Sequence, residues 1–223
     1  MKKMYVFAVF ILVSFSAMTM PDYGLWCDGK VLLENGKTFE GDISYDLKFE
    51  VVRIKTNGMT QAFTAESLAY FELFDPIKQI RRKYVSVDTP VYPGYQRKAF
   101  FEVISHGELA MLRRSEYVRR PRITEDMRAP HIYLNTVCKH TYFMHEESTG
   151  LTPINDFEKE ILPRMTRYED EVVRYIKRCK LKLNKVHEQL RVVNLYNMLY
   201  ANENKLAASS SPKKDREVTY NFR

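Results

Sequence analysis

The chain has 223 residues, 45% of them hydrophobic and 13% aromatic, enough for a real core in one domain or two small ones. The formal net charge is +7, and Lys2 and Lys3 supply two of those charges, leaving +5 beyond them. Three cysteines without a CxxC pair exclude a zinc ribbon or a thioredoxin-type centre.

Residues 1–20 have the layout of a secretory signal: Lys2 and Lys3, then the apolar run Val6 to Val13, then the small residues Ser14, Ser16, Ala17 and Thr19. Both Ser14-Phe15-Ser16 and Ala17-Met18-Thr19 suit a leader peptidase. The apolar run is shorter than the ~20 residues that span a bilayer. Cys27 follows Trp26 and lies well beyond the run, which argues against lipidation. The expectation is export to the periplasm or the cell surface. There a moderately basic chain meets anionic lipid head groups, acidic glycans or acidic protein faces before it meets nucleic acid. Solubility is the plainer use of the same charge.

Residues 21–76 read as a β-rich, small-barrel-like unit. Lys30 to Leu33 is a short apolar strand, and Asn35-Gly36 marks a hairpin. Phe39, Gly41, Ile43 and Tyr45 alternate with polar residues, as in a half-buried strand. Asn57-Gly58 marks the next hairpin, and Leu68 to Phe74, apolar on both faces, suits a central strand.

Residues 77–150 read as a second, hairpin-rich β region. It opens on a loop over 77–96, with Arg81, Arg82, Lys83, Pro90 and Pro93-Gly94. Phe100-Phe101 and Met111-Leu112 put apolar groups on both faces of a hairpin turned by Ser105-His106-Gly107. Arg113, Arg114, Arg119, Arg120, Arg122 and Arg128, with Tyr117, Pro121 and Pro130, read as a long mobile loop over 113–130. Ile132 to Leu134 and Thr141 to His145 return to strand, with a turn over Glu146 to Gly150.

Residues 151–206 read as helical. Asn155 with Glu158, and Thr166 with Glu169, have capping-box spacing. Pro163 ends the first short helix. Tyr168, Val172, Ile176 and Cys179 form the stripe of a second, and Val186, Leu190, Val193 and Tyr196 that of a third. Residues 207–223 form a polar tail, in which Val218, Tyr220 and Phe222 alternate.

The fold class expected is therefore α+β: a small-barrel-like or twisted antiparallel sheet, further β-hairpins and C-terminal helices. In an oxidising compartment Cys27 with Cys138 is the disulfide to test, with three reduced structural cysteines as the alternative. Cys179, on a helix stripe, reads as a buried thiol.

Several stretches resemble a group of uncharacterised secreted or envelope proteins of Bacteroidetes-type bacteria. They are Gly41 to Asp46, Phe100-Phe101-Glu102-Val103, Gly107-Glu108-Leu109 leading to Leu112-Arg113-Arg114, Tyr142-Phe143, Tyr175-Ile176-Lys177 with Leu181, and Leu195-Tyr196-Asn197. These motifs are structural rather than chemical. The resemblance implies an exported envelope protein and carries over no activity.

Little in the chain points to catalysis. Cys138, His140, His145 and Glu146 are metal-type ligands in one stretch, but on a strand His145 faces away from residues 138 and 140. There is no GxSxG elbow. Glu169, Asp170 and Glu171 suit a helix N-terminus electrostatically. No cofactor or metal is expected. The arginine cluster is the strongest candidate site, because guanidinium groups bind phosphate and carboxylate bidentately. The function expected is a non-enzymatic binding or interaction protein of the bacterial envelope. A hydrolase acting on an envelope polymer is the alternative, and nucleic-acid binding ranks third.

Overall fold

Tight turns organise the sheet. At Asn57-Gly58 both residues hold positive φ (51° and 77°), which joins two strands with two residues. Asn35 accepts the Lys37 backbone N–H at 3.0 Å and fixes the first hairpin in the same spirit. In the computed structural model, which describes residues 25–92, 94–123, 132–146 and 149–210, ten strands follow such turns. They are β1 (Cys27–Leu33), β2 (Thr38–Asp46), β3 (Val51–Thr56), β4 (Met59–Phe63), β5 (Leu68–Asp75), β6 (Ile80–Tyr92), β7 (Tyr95–Ser105), β8 (Ala110–Ile123), β9 (Ile132–Glu146) and β10 (Gly150–Pro153). Two α-helices follow, α1 (Glu169–Cys179) and α2 (Val186–Ser210), preceded by short helical turns from Phe157 to Tyr168. The expected leader (1–20) and residues 211–223 of the tail lie outside the described residues.

The strands form one antiparallel sheet in the order β10-β9-β8-β7-β6-β5-β1-β2-β3-β4, so the fold is α+β. β5 is central, as its two-sided apolar pattern requires. The sheet runs without a break across residue 76, because Asp75 pairs with Ile80. The expected loop over 77–96 is therefore mostly strand. Arg81, Arg82 and Lys83 are carried by β6, and Pro90 sits where the β6–β7 register shifts, a place that tolerates its missing N–H.

The arginine-rich loop is also strand over residues 113–123. β8 and β9 pair without interruption from Ala110–His145 to Ile123–Ile132. β8 pairs with β7 only through Glu102–Arg113, Val103–Leu112 and Ser105–Met111. β9 pairs with β10 only over Phe143 to Glu146. Beyond Arg114 the two strands are thus a ribbon whose ladder partners are each other. Cross-strand pairing with β9 keeps β8 extended despite its proline and arginine content. Residues 124–130, with Arg128, lie outside the described residues.

Three apolar clusters hold the molecule. Val31, Ile43, Val52, Ile54, Phe71, Tyr84 and Phe100 form the core cluster of the first strands. Their aromatic rings interlock, with Phe71 stacked on Tyr84 at 4.6 Å and edge-on to Phe100 at 5.1 Å. Met111 and Met144 meet Ile161, Met165, Val172, Val192, Val193 and Tyr196 of the helical segment. Ala99, Phe101 and Leu112 form a smaller cluster on the opposite face of β7 and β8.

The helical segment departs from the expected caps by one or two residues. Asp156, not Asn155, is the N-cap and accepts the Lys159 N–H at 3.2 Å, while Glu160 reaches back to the Asn155 and Asp156 N–H groups. Thr166 makes no cap, and Pro163 opens a short helical turn rather than ending one. Cys179 is half-buried at the end of α1 rather than buried.

Helix α2 is stitched to the β7–β8 hairpin by Asn197. Its amide accepts the Leu109 N–H at 3.0 Å and donates to the Leu109 carbonyl at 2.9 Å, and Asn194 accepts the Ser105 hydroxyl at 2.7 Å. Gly107 (φ 144°) lies so close that a Cβ there would sit 2.4 Å from Asn197 Cγ. Asn197→Ala orphans two buried backbone groups, so it should lower the unfolding free energy by about 2 kcal/mol or more, read by urea denaturation. Gly107→Ala should destabilise as well, through both the clash and the positive φ.

Candidate functional site

Glu102 is a single carboxylate in the apolar stretch Phe100-Phe101-Glu102-Val103, and it is 6% exposed. Pairing places Tyr84, Glu102, Arg113 and Tyr142 in one row across β6, β7, β8 and β9. Arg82 Nε and Nη2 each lie 2.8 Å from the two carboxylate oxygens. Arg113 donates to the same carboxylate through Nε at 3.0 Å and through Nη2. Asp75 lies 3.4 Å from Arg82 Nη1 on the other side. Burial pushes the Glu102 carboxyl up, but the hydrogen bonds and charge of the two guanidinium groups outweigh it and hold it below the ordinary range.

Beside this cluster, where the end of β2 approaches β6, β8 and β9, lies a recess of about 360 Å³. It is lined by Tyr45, Lys78, Arg82, Tyr84, Arg113, Ser115 and His140, with Leu47, Phe100 and Cys138. Ser115 Oγ lies 2.8 Å from His140 Nδ1, as expected of directly paired strand neighbours. Burial and the charge of Arg113 push His140 down, which favours its neutral form. Burial and Glu50 raise Tyr45, and burial and Glu102 raise Tyr84, so both phenols stay protonated and are able to donate.

The turn between β2 and β3 closes the neighbouring gap. Glu50, in the left-handed region at φ 52°, reaches Arg97 of β7 at 3.3 Å and Arg114 of β8 at 2.9 Å. It thus clamps the place where β8 leaves β7.

The four arginines of the predicted loop whose side chains are described do not converge. Strand alternation sends Arg113 and Arg119 to one face and Arg114 and Arg120 to the other. Arg113 is committed to Glu102 and Arg114 to Glu50. Arg119 and Arg120 are exposed and make no ion pair among the described residues. Arg122 is on β8, and Arg128 lies outside the described residues.

The expected Cys27–Cys138 disulfide is absent: both are free thiols, on β1 and β9, with four strands between them in the sheet order. Burial and nearby Asp75 raise the Cys27 thiol. His140 lines the recess just described, whereas His145 lines a separate open groove on the other face with His106 and Gly107. Among the described residues no group of three or more His, Cys, Asp and Glu is placed to hold a metal ion. No helix among them is long and apolar enough to cross a membrane.

Compared with protein-family models, curated proteins and solved structures, the chain matches none.

The sequence reading passed over Glu102, Arg82 and Lys78. A lone acid inside Phe-Phe-x-Val was the available signal, since a carboxylate on a buried strand demands cationic partners. Glu102→Gln should cost about 3 kcal/mol at neutral pH, because it leaves the partly buried Arg113 without its counter-ion and Arg82 with Asp75 alone. With its folded pKa below the ordinary 4.5, Glu102 contributes fully above that value and loses its contribution as pH falls through the folded pKa. The gap between native and variant in urea denaturation should therefore narrow below about pH 4. An equal gap at both pH values would show that the carboxylate charge is not what stabilises.

Proposed function

We propose that the protein is an exported, non-enzymatic binding module of the bacterial cell envelope, which meets an anionic partner through the outer part of the β8–β9 ribbon. The observation that carries this reading is the pair Arg119 and Arg120. They are exposed on opposite faces of a two-stranded ribbon, without ion pairs among the described residues, two and three residues from a 52% exposed Tyr117. Exposed arginine beside tyrosine is a composition that interfaces favour, and an arginine fork fits carboxylate and phosphate groups. An anionic glycan, a lipid head group or an acidic envelope protein has the matching chemistry. The signal-like residues 1–20 support export.

A second reading, a hydrolase acting on an envelope polymer, has one observation in its favour: Ser115 and His140 form a hydroxyl–imidazole pair beside Arg113. Among the described residues no carboxylate bonds His140 to orient it, and a nucleophile–base pair needs such an orienting group.

Fractionation of cells producing the tagged protein should recover it shortened and outside the cytosol. Capture of envelope partners in a pull-down should depend on Arg119 and Arg120, dropping at least tenfold when both are changed to Glu. Full-length protein in the cytosol, or capture indifferent to both charges, would overturn the proposal. Loss of polymer cleavage in Ser115→Ala, with the fold intact, would favour the second reading.

A further inference from the structure

The recess between β2 and the root of the ribbon has a one-sided polar lining. Lys78, Arg82 and Arg113 are its ionic groups, and the phenols of Tyr45 and Tyr84, the hydroxyl of Ser115 and the imidazole of His140 add neutral polar groups. No carboxylate is among the described residues that line it. Glu102 and Asp75, which neutralise the two guanidinium groups, are outside the lining. Lys78 makes no ion pair among the described residues.

Tyr84 sharpens the point. It is 7% exposed, its ring is fixed against Phe71, and its hydroxyl makes no hydrogen bond among the described residues. Only Ser86 Oγ and Arg114 Nη1 are buried without a partner among the described side chains, so the Tyr84 hydroxyl opens onto the recess, where a protonated phenol can donate. Tyr45, packed on the same rings at 5.1 and 5.3 Å from Phe71 and Tyr84, presents a second. The guanidinium groups are held in place by Glu102 before any ligand arrives, so little side-chain entropy is lost on binding.

We propose that this recess is a receptor for one oxyanion group, a carboxylate or a phosphoryl group, carried by a molecule of about monosaccharide size. The donors surround the anion, and the excess of positive charge at Lys78 compensates it. At about 360 Å³ the recess suits a small molecule and not a polymer chain. The site is separate from Arg119 and Arg120, which the proposed partner surface uses, so either can fail without the other.

Calorimetric titration of the whole mature protein with inorganic phosphate, with galacturonate and with neutral galactose tests this. Phosphate or galacturonate should bind, the better of the two identifying the phosphoryl or the carboxylate source, and galactose should not. Tyr84→Phe keeps the ring stack and removes only the hydroxyl. Lys78→Ala changes a residue outside the buried cluster. Each should weaken the better anion about tenfold, the worth of one hydrogen bond to a charged group. Arg119→Glu with Arg120→Glu should leave the titration unchanged. Binding of neither anion at millimolar concentration, equal binding of galactose, or anion binding indifferent to both Tyr84→Phe and Lys78→Ala would overturn the proposal.

Discussion

Two guanidinium groups sharing one buried carboxylate set the layout of this molecule. The row Tyr84–Glu102–Arg113–Tyr142 crosses four strands, and it separates two apolar clusters. On one side lie Phe71 and Phe100, and on the other Met111 and Met144 beneath the helices. A carboxylate in that position is tolerable only while both arginines remain in reach, because an unpaired buried charge costs several kcal/mol. The register of β6, β7 and β8 is thereby constrained. A slip of one residue on any of them would turn its member of the cluster to the opposite face.

The lengths of the strands do the rest. β8 has fourteen residues and β9 fifteen, yet β7 accompanies β8 through only three register pairs. The surplus length has no third strand to lean on, and a two-stranded ribbon alone is marginally stable. Two features compensate at its root. The β2–β3 turn inserts Glu50 against Arg97 and Arg114, and the Phe101 ring lies under the Arg114 guanidinium at 5.6 Å. The ribbon is thus anchored by charge on one face and by Glu102 on the other.

Much of the β architecture was legible in the sequence. Asn-Gly pairs fix hairpins through backbone geometry that few other residues adopt, and the two-sided apolar patterns of Leu68 to Phe74 and of Phe100-Phe101 with Met111-Leu112 mark strands covered on both faces. What misled was composition. Prolines and arginines around Arg81, Pro90, Arg119 and Pro121 carry loop statistics, but long-range pairing overrode them. The helix caps were displaced because several acids near residues 155–160 offer similar spacing, and only packing of Phe157 and Ile161 selects Asp156 and Glu160. The candidate site was less legible still. Its polar members come from β2, the β5–β6 turn, β6, β8 and β9, and no local window contains more than three of them.

The fate of the arginine cluster shows why a run of like charge is a poor description of a site. Reading it as one loop gives six equivalent anion ligands. Laid on a strand, the same residues are sorted by two independent rules: alternation assigns a face, and distance from the apolar clusters assigns a partner. Arg113 and Arg114, nearest the core, must be neutralised and are, by Glu102 and Glu50. Arg119 and Arg120, farther out, are solvated and need no acid to be stable there. Charge close to the core therefore became architecture, with the donor-lined recess beside it, and charge away from the core stayed free for an external anion. The two proposed binding surfaces follow from that one gradient in burial along β8.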